Sequence, residues 1–375
     1  MPGDGVQRAL ARVDLGAVER NCARLRRALD SDARLCAVVK ADGYGHGAVE
    51  CARAALAGGA GWLAVAAAAE AGELRAELPD VPILTMGALT ADELALALDA
   101  RSDVAVWRPE FLRLVVERAA ERGVTARVHV KYDTGMGRLG ERDPGAVRRL
   151  VDDAAADDRV ELAGVWTHFA TADDPESEFF GEQLVRFAEL ADPLKRDHPD
   201  VIVHAANSAA TLRDSSSHFD MVRCGIAVYG LDPFHVGPDE RELEPALELR
   251  SYVADVKRLE RDATAGYGRT WTARTDTWVG VLPIGYGDGV RRALSNNAGV
   301  LVGGRRYPLV GTVSMDNVTI DLGPDTDVEP GAPAVLIGSQ EDERILAEEV
   351  ARDIGTINYE ITCGISARVP RAYGQ

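Results

Sequence analysis

Residues 35–47 read Leu35-Cys36-Ala37-Val38-Val39-Lys40-Ala41-Asp42-Gly43-Tyr44-Gly45-His46-Gly47, an apolar run that ends on a lysine and opens into a glycine-rich loop. A short apolar run opening into a glycine-rich loop suits a strand that ends there. The lysine matters because the chain has only four, Lys40, Lys131, Lys195 and Lys257, so 38 of its 42 basic residues are arginines. Arginine serves any generic surface role, but it stays protonated and cannot form an imine with an aldehyde. A lysine where a strand runs into such a loop is therefore a candidate for covalent chemistry, a Schiff base first of all.

The same pattern recurs outward from this stretch. Apolar runs at 35–40, 62–67, 82–86, 103–107, 126–132, 160–167, 201–205 and 219–224 alternate with amphipathic helical stretches such as 15–29, 91–98, 109–122 and 176–194. Thr90 is placed to cap the helix over 91–98. The block from residue 13 to about 231 thus holds eight βα units. Eight parallel strands with crossover helices close into a barrel of roughly 250 residues. A doubly wound open sheet shares this periodicity, and only the count of eight favours an α/β fold of the (β/α)8 TIM-barrel type. The polar, proline-bearing segment 232–240 follows. Beyond it, strand-like runs at 249–258, 277–284, 299–302, 306–310, 317–322 and 333–338, with one helix near 345–353, predict a mostly β C-terminal domain. The expected division is 1–241 for the barrel domain, with residues 1–12 as candidates to pack on the second domain, and 242–375 for the β domain.

Composition narrows the function. A net charge of −18 disfavours nucleic acid or an anionic membrane as partner. It leaves room for a small anion held by local arginines and backbone amides. Five scattered cysteines without a CxxC pair suit reduced thiols and argue against a disulfide framework or a structural metal. The polar start and the absence of a long apolar run point to a cytoplasmic enzyme.

Barrel active sites lie at the C-terminal ends of the strands, with phosphate often held after strands seven and eight. The unusual polar residues fall at that rim. Lys40 is read as ending strand one, Lys131 and Asp133 strand five, His168 strand six, His204, Asn207 and Ser208 strand seven, and Arg223 strand eight. Singly, each has an ordinary structural explanation, such as a rim histidine or a helix cap. Gathered at one end of a barrel they are costly to bury without a ligand. Ser208, Asn207 and the amides of Gly225 and Ile226 would suit a phosphate, and Lys40 an aldehyde. A cofactor carrying both is pyridoxal 5′-phosphate, with Arg223 near its ring and Arg138 free for a substrate carboxylate.

The strings AVVKADGYGHG (37–47), KYDTGMGRLG (131–140), WTHFATAD (166–173), HAANSAAT (204–211), MVRCGIAVYGL (221–231), AGYGRTW (265–271), PIGYGDG (283–289), VGTVSMDNVTID (310–321) and TINYEITCGISARVPR (356–371) together resemble the alanine racemases, a barrel-type family that uses pyridoxal phosphate. The resemblance runs in order over nearly the whole chain. It implies that Lys40 anchors the cofactor and is one of two catalytic bases, with Tyr267 the other. It implies that Tyr44, Ser208, Gly225, Ile226 and Tyr359 hold the phosphate, that Arg223 faces the pyridine nitrogen, and that His168 and Asn207 belong to the same network. Arg138 and the Met315 amide would bind the substrate carboxylate, Lys131 would carry a carbamate beside Arg138, and Tyr286 and Asp316 would line the entrance. The family also implies a homodimer with sites shared between subunits, and D-alanine supply for peptidoglycan. Arginine cannot readily protonate the pyridine nitrogen, so Arg223 is expected to limit transamination. Two departures stand out: Cys224 where the family usually has proline, and Asp42-Gly43 after the lysine.

Three rival readings share parts of this pattern. A non-catalytic barrel that only binds the cofactor would lack a β domain carrying AGYGRTW. A barrel-type amino-acid decarboxylase would place an acidic residue opposite the pyridine nitrogen. A racemase for serine or lysine would need a wider pocket than one closed by Tyr286 and Tyr359.

Overall fold

The computed structural model describes residues 7–29 and 32–374. Eight parallel strands, Arg34–Val38, Trp62–Val65, Ile83–Thr85, Asp103–Val106, Ala126–Lys131, Val160–Trp166, Ile202–His204 and Met221–Cys224, form a closed barrel. Closure is direct: Arg34 through Ala37 pair with Met221 through Cys224. An open doubly wound sheet has no such pairing. The strands are almost wholly buried, which is why they read as unbroken apolar runs.

The helices begin where the chain supplies acceptors for otherwise unpaired amides. Asp14 accepts from the Ala17 amide at 2.9 Å to start Leu15–Ala28, and Asp143 accepts from Ala146 at 2.8 Å to start Pro144–Ala155. Thr90 and Glu93 form the reciprocal capping box of Ala91–Asp99. Leu15–Ala28 precedes the first barrel strand, yet it fills the place left by the short 3₁₀ turn Ile226–Tyr229 after the last one. Val18, Cys22 and Leu25 give it a buried stripe at helical spacing, and Asn21 donates to Val228 O at 3.3 Å and Glu244 O at 2.8 Å.

The second domain is built on a ten-stranded sheet. Leu10–Asp14 belongs to it, antiparallel to Leu247–Tyr252 and parallel to Arg371–Gly374. Four local expectations are corrected. The run 249–258 is two strands, Leu247–Tyr252 and Asp255–Leu259. The helix near 345–353 is confined to Ala347–Asp353, preceded by the strand Glu343–Ile345. A second helix, Asn358–Cys363, follows it; six residues without a side-chain cap are too few for periodicity to show. The first barrel strand also stops at Val38, two residues short of Lys40, because the backbone turns left-handed just beyond.

Candidate active site

Lys40 opens a turn in which Ala41, Asp42, Gly43 and Tyr44 all have φ between 53° and 60°. Left-handed backbone costs roughly 1–2 kcal/mol per residue with a Cβ, so Gly43 relieves the strain at one of the four positions. Side chains hold the rest. Glu70 accepts from the Ala41 amide at 2.6 Å and from Ala66 and Ala67 at 2.9 and 3.0 Å, while Asp42 accepts from Ala48 at 2.9 Å. Glu70→Ala would strand three amides, and a loss of about 1–3 kcal/mol in unfolding free energy is expected by denaturant titration.

Tyr44 ends this turn beneath the mouth of the barrel. Its ring centroid lies 6.0 Å from that of Tyr359 and 5.2 Å from that of Tyr229. A Cβ on Gly225 would sit 2.3 Å from the Tyr44 hydroxyl, so the absent side chain is what lets that phenol approach the loop. Ser208 Oγ accepts from the Gly225 amide at 3.0 Å and from Ala227 at 3.4 Å. The Gly225 amide expected to be available to an anion is therefore already engaged; the Ile226 amide has no chain acceptor among the described residues. Asn207 caps the helix Ser208–Arg213 through the Ala210 amide at 3.0 Å. Gly225→Ala would push Tyr44 out, and at least about tenfold weaker binding of a phosphate-bearing ligand is expected by fluorescence titration.

Arg223 lies at the centre. Burial lowers its pKa to about 10, still above neutrality. Nη2 donates to Thr167 O at 2.8 Å and Ala205 O at 3.0 Å and stands 3.3 Å from His168 Nδ1; Nη1 donates to His204 Nδ1 at 2.9 Å. That leaves Nε uncommitted to the chain among the described residues. His168 is held well below its ordinary pKa by burial and by Arg223, Arg138, Lys131 and Lys40, and is neutral. Lys40 is lowered by burial and by Arg138, which favours the free amine that reacts with an aldehyde. Lys131 is pushed down to about 7 by burial and by Arg223 and Arg138, and its Nζ stands 4.1 Å from the Trp166 ring centroid. Asp133 organises the Arg138 loop by accepting from the amides of Gly135 at 3.0 Å and Gly137 at 3.0 Å.

The departures have local explanations. Cys224 is buried, donates to Thr211 Oγ1 at 3.5 Å, and burial raises its pKa to about 11, so it stays a thiol. Gly43 sits where left-handed backbone is needed.

The remaining residues group elsewhere in the chain. Tyr267 sits on a 3₁₀ turn between Gly266 and Gly268, both with φ of 74°, at the tip of a hairpin of the second domain. Its carbonyl accepts from Thr312 at 2.8 Å. Tyr286 and Met315 lie on adjoining loops joined by Tyr286 N to Ser314 O at 2.9 Å, and Asp316 pairs with Arg368 at 2.7 Å. Tyr267, Met315 and Tyr286 are 74%, 51% and 44% exposed. Sequence reasoning missed Glu70, and it missed Asp103 and His129, two buried polar residues inside strands read as apolar. A charged residue opening an apolar run and a histidine at an inward position were the available signals.

A closed eight-stranded barrel with an amine, a buried guanidinium and two neighbouring phenols at its rim, joined to a β domain, is the architecture of a two-domain barrel enzyme. The family model for the alanine racemase N-terminal domain matches residues 13–233, and that for the C-terminal domain matches 246–373. The chain belongs to the alanine racemase family. It is 44% identical to the alanine racemase of Symbiobacterium thermophilum over 99% of this chain and 98% of that one, and 43% identical to that of Geobacillus stearothermophilus over 97% and 92%. Solved structures of alanine racemases from Streptomyces lavendulae and Streptomyces coelicolor superpose with TM-scores of 0.94 and 0.92, at 36% and 40% identity. The first comparison covers 99% of this chain and 98% of the other, the second 97% of each. No helix among the described residues is long and apolar enough to cross a membrane.

Proposed function

We propose that this protein interconverts L- and D-alanine with pyridoxal 5′-phosphate as cofactor, using Lys40 and Tyr267 as opposed bases, and that it supplies D-alanine for peptidoglycan from the cytoplasm. The observation that carries the reading is the convergence at one barrel rim of a Lys40 amine with lowered pKa, the uncommitted Arg223 Nε, and the grouping of Tyr44 with Tyr359 and Gly225, whose amide Ser208 engages.

These residues fit the cofactor by the chemistry of their donors. Two phenol hydroxyls, the Ser208 hydroxyl and the Ile226 amide suit a phosphate, Arg223 Nε suits a pyridine nitrogen, and Lys40 suits the aldehyde carbon. When bound, pyridoxal phosphate withdraws electrons from the substrate α-carbon and so acidifies its proton. Lys40 Nζ takes or returns that proton on one face, and the Tyr267 phenol acts on the other. A phenol is a poor base near pKa ~10 unless a neighbouring cation stabilises its anion; the Arg223–His168 pair is suited to that task. Arg138 and the Met315 amide hold the substrate carboxylate, with Tyr286 and Asp316 at the entrance.

Tyr267 is exposed on its own subunit, so the second base is best supplied by a second copy. The site is then completed across a homodimer. Borohydride reduction followed by peptide mapping tests the cofactor: a pyridoxyl adduct on Lys40 is expected, and an unmodified Lys40 peptide would refute the assignment.

Lys131 is proposed to carry a carbamate. Its pKa near 7 leaves much of the amine neutral at and above neutrality, the form that adds to carbon dioxide with release of a proton. The resulting anion would orient Arg138. A carbamate carbon signal should grow in carbon-13 NMR with labelled bicarbonate as pH rises through about 7, and vanish in Lys131→Met. An unmodified lysine under saturating carbon dioxide would contradict it.

A further inference from the structure

Arg223 is buried, yet none of its hydrogen-bond partners is a carboxylate. A chain of side chains leads from it down through the barrel to one. Arg223 Nη1 lies 2.9 Å from His204 Nδ1, His204 Nε2 lies 2.8 Å from His129 Nδ1, and His129 Nε2 lies 3.0 Å from Asp103 Oδ2. These residues come from strands eight, seven, five and four, and both imidazoles are wholly buried. Asp103 opens its strand at the opposite end of the barrel from Lys40. There Arg127 Nε contacts its two oxygens at 3.1 and 3.2 Å, beside a cavity of about 270 Å³ lined by Arg75, Arg101 and Trp62.

The two ends dictate the protons between them. A guanidinium can only donate and a carboxylate can only accept. His204 Nδ1 must therefore be a bare acceptor, which puts its hydrogen on Nε2. That hydrogen points at His129 Nδ1, which must also be bare, so His129 carries its hydrogen on Nε2 and donates it to Asp103. Both rings are neutral and every bond runs the same way. The tautomer of each ring follows from the bond its other nitrogen makes. Strand six makes room for the contact: a Cβ on Gly164 would lie 2.2 Å from His129 Nδ1, and glycine inside a strand marks such a close approach. Trp166 stacks on His204 with centroids 5.6 Å apart and holds it flat.

We infer that Asp103 is a positioning residue for the racemase site, fixing the tautomers of His129 and His204 so that the Arg223 guanidinium is anchored from the far end of the barrel. The inference rests on the proposed function for what Arg223 does, and on geometry alone for the relay. Asp103 touches neither substrate nor cofactor; its negative charge polarises two imidazoles in series and makes His204 Nδ1 a stronger acceptor for Arg223.

The test uses holoenzyme with nitrogen-labelled histidine, whose seven residues are few enough to assign with His129→Gln and His204→Gln. In the wild type both His129 and His204 should give the neutral Nε2–H pattern. Asp103→Asn removes the charge and introduces a donor; Gly164→Ala displaces His129 without touching Asp103. Each should perturb the His204 signal and lower kcat for alanine by about tenfold, as loss of an outer partner does in comparable sites, with KM little changed. A hydrogen on Nδ1 of either ring in the wild type would overturn the relay. Unchanged kcat in both folded variants would overturn the positioning role. If neither variant folds, the wild-type tautomers still decide the relay. A wild-type protein without racemase activity would undo the functional reading and leave the tautomer result standing.

Discussion

Lys40→Arg is expected to abolish alanine racemisation, lowering kcat by about 10⁴-fold or more, while the protein stays folded. Arginine keeps a long basic side chain but cannot form an imine and does not deprotonate near neutrality. The substitution removes the proposed cofactor anchor and one of the two proposed bases together, and a positioned base alone contributes about 10² to 10⁴. The fold should tolerate it, because Lys40 lies outside the first barrel strand and the turn beyond is held by Glu70 and Asp42. A coupled assay for D-alanine with circular dichroism as control separates the two effects. More than about a tenth of wild-type kcat in Lys40→Arg would remove Lys40 from the chemistry.

Mixing inactive subunits should restore activity. Lys40→Ala and Tyr267→Ala homodimers are each expected to lose at least about 10²-fold in kcat. A heterodimer of the two would carry one doubly defective site and one site with both residues intact. Symmetry then sets its activity at about half that of the wild-type dimer. The exposure of Tyr267 on its own subunit makes this the natural arrangement. A purified heterodimer as inactive as its parents would mean that each subunit supplies both bases to itself.

Much of the architecture is legible in the chain because the barrel strands are short, apolar and punctuated by glycine or helix caps. The run 35–39, the Thr90 cap and the rim positions of Lys131, His168, Ser208 and Arg223 follow from periodicity and from where barrel strands end. What escapes is set by tertiary closure. The first residues are candidates from sequence to pack on the second domain, but the strand partners of Leu10–Asp14, near 250 and 371, are encoded by no local pattern. The left-handed turn at 41–44 depends on Glu70 reaching back from the next unit. The Asp103–His129–His204 chain joins residues on three strands and exists only because Gly164 leaves space between them. The Gly225 amide, expected from sequence to face an anion, donates to Ser208, and the residue's missing side chain admits Tyr44 instead.

The central claim is that two bases act on opposite faces of the α-carbon. Racemisation of L-alanine and, separately, of D-alanine in deuterium oxide tests it most directly, with the label at the α-carbon followed in both enantiomers at early times. Solvent deuterium is expected in the newly formed enantiomer from either direction while the recovered substrate keeps its hydrogen. Return of the substrate's own hydrogen to the product would mean a single base serving both faces, and would contradict it.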